Sequence, residues 1–192
     1  MSKTLLAPLL LISGCFAHIP QHTTAHLNVS WRADYQSAQA DAQKLGRPVL
    51  VVMIAGDKEG AICLGGDYLR SSALTDARVI RKINEEFVPV WINVRTTPIP
   101  RFPFLKDVLV TATVNAENRV TDTFSKNYFL RSVVVSPDGQ TLLNPGATNV
   151  TVAARKLIFE GDFTYETNDP GSYLGLLEHA LRRYTESQQP AL

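Results

Sequence analysis

Residues 49–69 read VLVVMIAGDKEGAICLGGDYL, and this stretch decides the fold class. Its first seven residues form a continuous apolar run rich in β-branched side chains, which is typical of a strand buried on both faces of a sheet. A charged, glycine-containing loop follows and leads to a single cysteine, Cys63. The pattern predicts a core strand over residues 49–55, and Cys63 is either a working thiol or a small buried residue.

Helix and strand patterns alternate around this strand. Apolar residues recur at helical spacing over Tyr35–Leu45, and Gly46 then predicts the end of that helix. Thr75 and Asp76 offer an N-cap for a second helix, whose apolar face leads into a second buried strand at residues 87–94. This alternation predicts an α/β domain with a central mixed sheet flanked by helices.

The second half of the chain predicts a third helix, a hairpin and a last helix. Residues 107–114 fit either a strand or a helix start, and apolar residues at helical spacing predict a helix over residues 117–128. The sequence Ser-Pro-Asp-Gly at residues 136–139 matches a type I turn and predicts a hairpin. Asp169 and Pro170 predict the start of the last helix.

The N-terminus has the pattern of an export signal. Lys3 precedes the apolar run LLAPLLLI, which is too short to span a bilayer. Residues 11–15, LISGC, closely resemble the lipobox of bacterial lipoproteins, in which the cysteine is acylated after cleavage. The resemblance implies a signal peptide over residues 1–14 and a lipid anchor on Cys15, facing the periplasm. Phe16 after the cysteine favours the outer membrane, and a simple secretory signal is the alternative.

Residues 15–30 are polar and show no sustained apolar periodicity, so we expect a lipidated, exposed tether. His18, His22 and His26 are spaced four residues apart, which would place three imidazoles on one face of a helix, and imidazole suits zinc or copper. Pro20 disfavours a helix at this point. We therefore interpret the histidines as part of a polar linker, with a metal carrier as an alternative hypothesis.

The composition excludes other classes of function. The 192 residues carry 19 basic and 18 acidic side chains, so the formal net charge is +1 and no basic field steers nucleic acid. The glycines around Cys63 match no phosphate-binding pattern, and no Ser-His-Asp arrangement stands out. We expect one globular domain, no cofactor and no nucleic-acid partner.

Three segments resemble the thioredoxin fold when they are taken with the predicted order of elements. They are YQSAQADAQKLGRPVLVVMIAG (35–56), LTDARVIRKINEEFVPVWINV (74–94) and VVVSPDGQTLL (133–143). The details are most similar to the thioredoxin-like group that includes the monothiol anterior gradient proteins. The resemblance covers residues 31–186, leaves 187–192 as a tail, and implies a three-layer α/β/α domain.

The chain departs from this family at its redox site. A thioredoxin carries Cys-x-x-Cys at the start of the helix that follows the first central strand. Here Lys58 and Ala61 stand at those positions, or Gly60 and Cys63 if the loop holds a small insertion. The family's cis-proline is also missing, because residues 130–132 occupy its site. The sequence therefore predicts a domain without dithiol chemistry.

Cys63 is the candidate thiol of the domain. Gly65 and Gly66 disfavour helix directly after it, so we expect the helix to start near Asp67 and Cys63 to be a small core residue. His179 falls off the apolar face of the last helix, where we expect it to be solvated.

Asp57, Lys58 and Glu59 lie on the loop where a thioredoxin touches its clients, so they are candidate binding residues, with a solvated loop tip as the alternative. The expected function is a redox-inactive, membrane-anchored envelope lipoprotein that binds or assembles an envelope protein partner. The alternative is a monothiol oxidoreductase or chaperone that uses Cys63.

Overall fold

The computed structural model of the chain describes residues 24–60, 63–105, 112–117, 119–123, 130–144, 147–153, 156–161 and 163–189. These residues form a mixed α/β structure with a three-stranded mixed sheet. Their α-helices are α1 (Tyr35–Leu45), α2 (Leu64–Ser71), α3 (Ala77–Glu86) and α4 (Pro170–Ser187). Their strands are β1 (Val49–Ile54), β2 (Val88–Asn93), β3 (Ala112–Val114), β4 (Val120–Thr123), β5 (Leu130–Val135), β6 (Ala147–Ala153), β7 (Lys156–Gly161) and β8 (Tyr165–Glu166).

The central sheet has the strand order β2–β1–β5. β1 runs parallel to β2, with Val49 opposite Val88, and antiparallel to β5, with Val49 opposite Val135. Every residue of β1 is buried, as the continuous apolar run predicts for a strand covered on both faces. The predicted core strand is therefore confirmed, and it lies at the centre of the sheet.

Local signals set the ends of α1. Asp34 caps its start in a capping box with Ser37, and Gly46 ends it in the left-handed conformation at φ 64°. Ala38 and Ala42 are fully buried, so α1 approaches the core through small side chains. Leu45, which we predicted on the apolar face, is instead 48% exposed, because it lies in the last turn beyond this contact.

The second and last predicted helices also begin where their caps indicate. The Asp76 carboxylate accepts hydrogen bonds from the first backbone N–H groups of α3. Asp169 does the same for α4, which starts at Pro170. Val79 of α3 and Tyr173 of α4 are fully buried. Both helices therefore bury the apolar faces that their spacing predicts.

The predicted helix over residues 117–128 is wrong. β4 (Val120–Thr123) occupies part of this segment and pairs antiparallel with β3 (Ala112–Val114). The helical spacing rested on three apolar residues, whereas the local residues VTDT are rich in the β-branched types that favour strands. Residues 112–114, for which strand and helix stayed open, form a strand.

A three-stranded antiparallel sheet that was not predicted is formed by residues between the predicted hairpin and α4 in the chain. Its strand order is β6–β7–β8. Phe159 of β7 is buried and stacks on Tyr165 of β8, with ring centroids 4.8 Å apart. The guanidinium of Arg131, from β5, lies 5.3 Å from the centre of the Phe159 ring. This sheet therefore packs against the central sheet at β5.

Candidate functional site

Cys63 lies at the N-terminus of α2, at the end of the loop that leaves β1. Its backbone N–H donates to the carbonyl of Ala55 at 3.0 Å, and its Sγ accepts the N–H of Gly66 at 3.4 Å. Cys63 is therefore the N-cap of a helix that begins at Leu64. The predicted helix start near Asp67 is wrong. The backbone N–H groups in the first turn of a helix have no carbonyl acceptor within the helix, and Cys63 Sγ accepts one of them, the N–H of Gly66.

The first turn of α2 thus carries residues 63–66, CLGG, rather than either of the two predicted residue pairs. Backbone N–H groups at the start of a helix stabilise negative charge on a sulfur. The residue three positions after Cys63 is Gly66, so this turn holds one thiol. Cys63 is also only 5% exposed and belongs to the hydrophobic core. The site has the position of a reactive thiol and the burial of a structural one.

The loop between β1 and α2, residues 55–60, is held through its main chain. The carbonyl of Lys58 accepts two hydrogen bonds, from His26 Nε2 at 2.7 Å and from Arg70 Nη1 at 3.0 Å. The carbonyl of Gly56 accepts from Trp91 Nε1 at 3.0 Å. These donors come from three separate elements, so the loop has a fixed backbone.

The candidate binding residues sit on this fixed backbone. Asp57 and Glu59 are exposed, and Lys58 is half-buried. The Asp57 carboxylate accepts a hydrogen bond from Asn93 Nδ2 at 2.8 Å, which ties the loop to the end of β2. The loop therefore presents charged groups of both signs in a defined arrangement, which suits recognition better than a freely moving tip does.

A segment that precedes the first helix contributes to the same region. We call residues 24–32 the N-terminal strap; they include a short 3₁₀ helix, Ala25–Asn28. Asn84 of α3 accepts from the N–H of Ser30 at 2.8 Å and donates to the carbonyl of Asn28 at 2.9 Å. The N–H of Arg32 donates to the carbonyl of Pro89, beside a bridge to Val90.

The strap corrects the prediction of an exposed linker that continues to residue 30. His26 and Val29 are each only 3% exposed. Trp31 packs edge-on against Trp91, with ring centroids 5.5 Å apart. A histidine and a tryptophan inside a polar stretch were the sequence signal that this segment is docked on the domain, but the residues that they contact lie far away in sequence.

The structure gives His26 a role inside the domain. Its Nε2 is bonded to the Lys58 carbonyl, whereas His18 and His22 lie outside the described residues. Among the residues that the structure describes, no three His, Cys, Asp or Glu side chains form a group that could hold a metal ion. Cys15 and the segment 11–15 that resembles a lipobox also lie outside the described residues.

Residues 130–132, where the resemblance to thioredoxins predicts a proline, open β5. Arg131 is 6% exposed, donates to the Leu130 carbonyl at 2.7 Å, and has a guanidinium pKa lowered by burial. Ser132 Oγ shares a hydrogen bond of 2.8 Å with the hydroxyl of Tyr173, and burial raises the pKa of Tyr173 to about 12. The sequence pattern does not reveal this buried polar cluster, although an arginine two residues before the apolar run VVV (133–135) was a signal.

Asn144 occupies the outer edge of β5. Its Oδ1 accepts from the N–H of Val134 at 2.6 Å, and its Nδ2 donates to the carbonyl of Ser132 at 2.8 Å. One side chain therefore satisfies the two backbone groups that a further strand would use. A partner strand cannot pair at this point of the sheet edge.

The end of the sheet opposite the 55–60 loop carries the predicted turn and a polar groove. The groove has a volume of about 420 Å³ and lies between the ends of α1 and α4 and the turn at residues 136–139. The hydroxyl of Tyr184 donates to the carbonyl of Gly46 across it at 3.1 Å.

His179, predicted to be solvated, is half-buried and stacks on Phe163, with ring centroids 4.9 Å apart.

Comparison with models of known protein families, and with curated proteins, finds no match to this chain. Within the ranges that the structure describes, no helix has the length and apolar content needed to cross a membrane. The function therefore has to be argued from the start of α2, the 55–60 loop and the N-terminal strap.

Proposed function

We propose that this chain is a membrane-anchored envelope lipoprotein whose thioredoxin-like domain lacks a dithiol site and works as a binding or assembly module. The strand order supports the thioredoxin-like assignment. Arg32 bridges to β2, β1 lies between β2 and β5, and Leu142 bridges to Val135 of β5. Helices connect the parallel strands, as a thioredoxin-like fold requires.

The observation that carries the proposal is the first turn of α2. In a dithiol oxidoreductase, the second thiol releases the client by attacking the mixed disulfide that the first has formed. Here Gly66 takes the place of that second thiol, and its N–H faces Cys63 Sγ. A mixed disulfide formed at Cys63 would have no resolving thiol in this turn, so the domain does not turn over as a dithiol enzyme.

The 55–60 loop supports a binding role. It lies beside Cys63, and its exposed Asp57 and Glu59 stand on a backbone fixed by hydrogen bonds from the strap, α2 and β2. A fixed charged loop loses little conformational entropy when it binds a partner. The partner we propose is an envelope protein that binds this loop.

Two measurements test the proposal. The full chain expressed in a bacterium should carry acyl groups on Cys15, seen by mass spectrometry, and the Cys15→Ala variant should carry none. The purified protein should not accelerate the reduction of insulin disulfides by a small dithiol over the rate with the dithiol alone. Turnover that disappears in the Cys63→Ser variant would refute the absence of redox activity.

One observation favours a second candidate function, a monothiol that traps client cysteines. Cys63 Sγ sits at a helix N-terminus and accepts a backbone N–H, which is the arrangement that stabilises a thiolate. The Cys63 thiolate would attack a client disulfide, form one new S–S bond and release the other client sulfur as a thiolate. Alkylation of the folded protein should then be faster than that of the denatured protein. A thiol protected until unfolding would rule this function out.

A further inference from the structure

The polar groove between the ends of α1 and α4 is lined by groups that accept hydrogen bonds. Its volume, about 420 Å³, falls within the range of clefts that hold small ligands. The residues around it present hydroxyl, amide and carboxylate groups, and none of the described residues in its lining is a lysine, an arginine or a histidine. Asp138 is the one charged residue among them. The groove therefore carries a negative charge that no lining side chain neutralises.

The turn at residues 136–139 fixes the Asp138 carboxylate and leaves one of its oxygens open. Oδ1 accepts hydrogen bonds from the hydroxyl of Ser136 and from the N–H of Gln140, and these bonds lower the pKa of Asp138. Oδ2 has no hydrogen-bond partner within the described part of the chain, and Asp138 is exposed. Burial, and then the charge of Asp138, raise the pKa of the neighbouring Tyr35 to about 12. Asp138 is thus an ionised acceptor in a fixed position.

The C-terminal ends of two helices add negative potential to the groove. Gly46, the cap of α1, lies in its wall, and the last turn of α4 contributes Tyr184 and Ser187. The last carbonyls of a helix lack partners within the helix and carry a partial negative charge, which favours a cation nearby. The last turn of α4 has no basic residue and carries Glu186 instead. The negative end of α4 is therefore not compensated by its own last turn.

Cations on the neighbouring turns do not occupy the groove. Lys44, in the last turn of α1, and Arg183 of α4 are both exposed, and neither belongs to the lining. The guanidinium of Arg47 donates to the carbonyl of Asn84, on α3, at 3.5 Å. A concave, negative site thus lies open to a cation from another molecule.

We propose that the polar groove binds the ammonium group of a lysine side chain from a protein partner. Asp138 Oδ2 accepts one of the three ammonium donors, and the hydroxyl oxygen of Tyr184 is a further acceptor in the lining. Since only one carboxylate oxygen is open, the bidentate pairing that arginine favours is not available.

The rim of the groove suits the peptide groups that flank a lysine. The side-chain amides of Gln43 and Gln188 line it, and each amide can both donate and accept a hydrogen bond. The choice of a protein as the source of the lysine rests on the proposed binding function. The groove lies at the opposite end of the central sheet from the 55–60 loop, so it gives the module a second contact surface.

Titration with short peptides tests the proposal, with NMR chemical shifts of the isotope-labelled full chain as the readout. Acetyl-Gly-Lys-Gly-amide should shift the backbone signals of the groove, with a dissociation constant of about 1 mM. The matched peptide acetyl-Gly-Gln-Gly-amide should bind at least about ten-fold more weakly, because it lacks the charge. The lysine peptide should also bind about three-fold more tightly than n-butylamine, which has the ammonium but no peptide groups. Equal affinity for n-butylamine would overturn the protein source of the ligand.

Asp138→Asn is the matched variant, because its amide oxygen can keep both bonds of Oδ1 while the charge is removed. It should weaken binding of the lysine peptide about ten-fold, and Gln43→Lys, which adds an ammonium to the lining, should weaken it as well. Asp57→Asn removes an exposed carboxylate from the 55–60 loop and should leave the affinity unchanged. Equal affinity in Asp138→Asn and the native chain, or no shifts at the groove, would overturn the proposal. Such a failure leaves the proposed function standing, since acylation of Cys15 and the insulin assay do not depend on the groove.

Discussion

The two ends of the central sheet are built from different kinds of contact. At the end that carries the turn at residues 136–139, which we call the turn end, the Ser136 carbonyl accepts the N–H of Gly139 and its Oγ accepts the N–H of Thr141. At the opposite end, which carries the 55–60 loop and which we call the loop end, the donors to the loop include His26, 32 residues from its partner, and Trp91, 35 residues from its partner. Bonds within residues 136–141 close the turn, with Gln39 as an added donor to the Asp138 carbonyl, whereas the 55–60 loop is held by donors from three other elements.

The largest effect is expected from Asn144→Ala, beside the turn end. This change leaves the Val134 N–H and the Ser132 carbonyl buried without these partners, and each such loss costs about 1–3 kcal/mol. We expect the free energy of unfolding to fall by about 3 kcal/mol, measured by urea denaturation. Gln140→Ala, at an exposed neighbouring position, is the control and should change it by less than about 0.5 kcal/mol. Equal effects would contradict the role of Asn144.

His26→Ala tests the long-range contacts of the loop end. The change removes a buried side chain and its hydrogen bond to Lys58, which should cost about 2 kcal/mol. Hydrogen exchange should speed up in the 55–60 loop and the strap while the turn at residues 136–139 keeps its rate. If the turn end changed as much as the loop end, the two ends would not be independent.

Gly139→Ala and Gly46→Ala separate backbone strain from close packing at the turn end. Both glycines have a left-handed backbone, with φ 75° and 64°. A Cβ at residue 139 would meet two side-chain ends, Gln39 Nε2 at 2.7 Å and Tyr35 Oη at 2.8 Å, and would displace Gln39 from its bond to the Asp138 carbonyl, whereas a Cβ at residue 46 meets nothing within 4 Å. We expect Gly46→Ala to cost about 1 kcal/mol and Gly139→Ala more, as measured by thermal unfolding. A cost at residue 139 no greater than at residue 46 would argue against tight packing there.

Asp76 provides a local contact at the loop end, where α3 begins. Hydrogen bonding to Arg78 lowers its pKa from 3.8 to about 2, so its stabilising contribution is complete above pH 3.8 and is lost as the pH falls through 2. Asp76→Ala should cost about 1 kcal/mol at pH 7. Asp76→Asn keeps a capping oxygen but does not titrate, so the free energy of unfolding should fall less between pH 4 and 2 than it does with Asp76. An unchanged acid limb in this variant would assign that pH dependence to other carboxylates.

The same contrast explains which parts of the fold could be predicted from the sequence. β1, α3 and the turn at residues 136–139 follow from apolar runs, a cap and turn residues, which are signals read within a few positions. The hairpin of β3 and β4, and the sheet of β6 to β8, depend on pairing between segments, and short β-branched runs do not reveal their partners.

The candidate site also has features that could be predicted from the sequence and features that could not. The absence of a second thiol can be read directly from CLGG at residues 63–66. The helix start at Leu64 could not be read, because Gly65 and Gly66 weaken a helix locally and the contact that compensates comes from Cys63 Sγ. The docking of His26 could not be predicted either, since its hydrogen-bond partner at Lys58 lies 32 residues away.

Restoring the missing thiol tests the central claim most directly. If residues 63–66 are a thioredoxin-like site that lacks one cysteine, Gly66→Cys should form a disulfide with Cys63 on oxidation, whereas Gly65→Cys, in the same turn, should not. The measurement is the number of thiols alkylated after denaturation of the oxidised, folded protein, with Cys15→Ala in every variant so that residues 63–66 supply the only two thiols. Loss of both thiols in Gly66→Cys alone is the predicted result. Two free thiols in the folded Gly66→Cys variant would contradict the account.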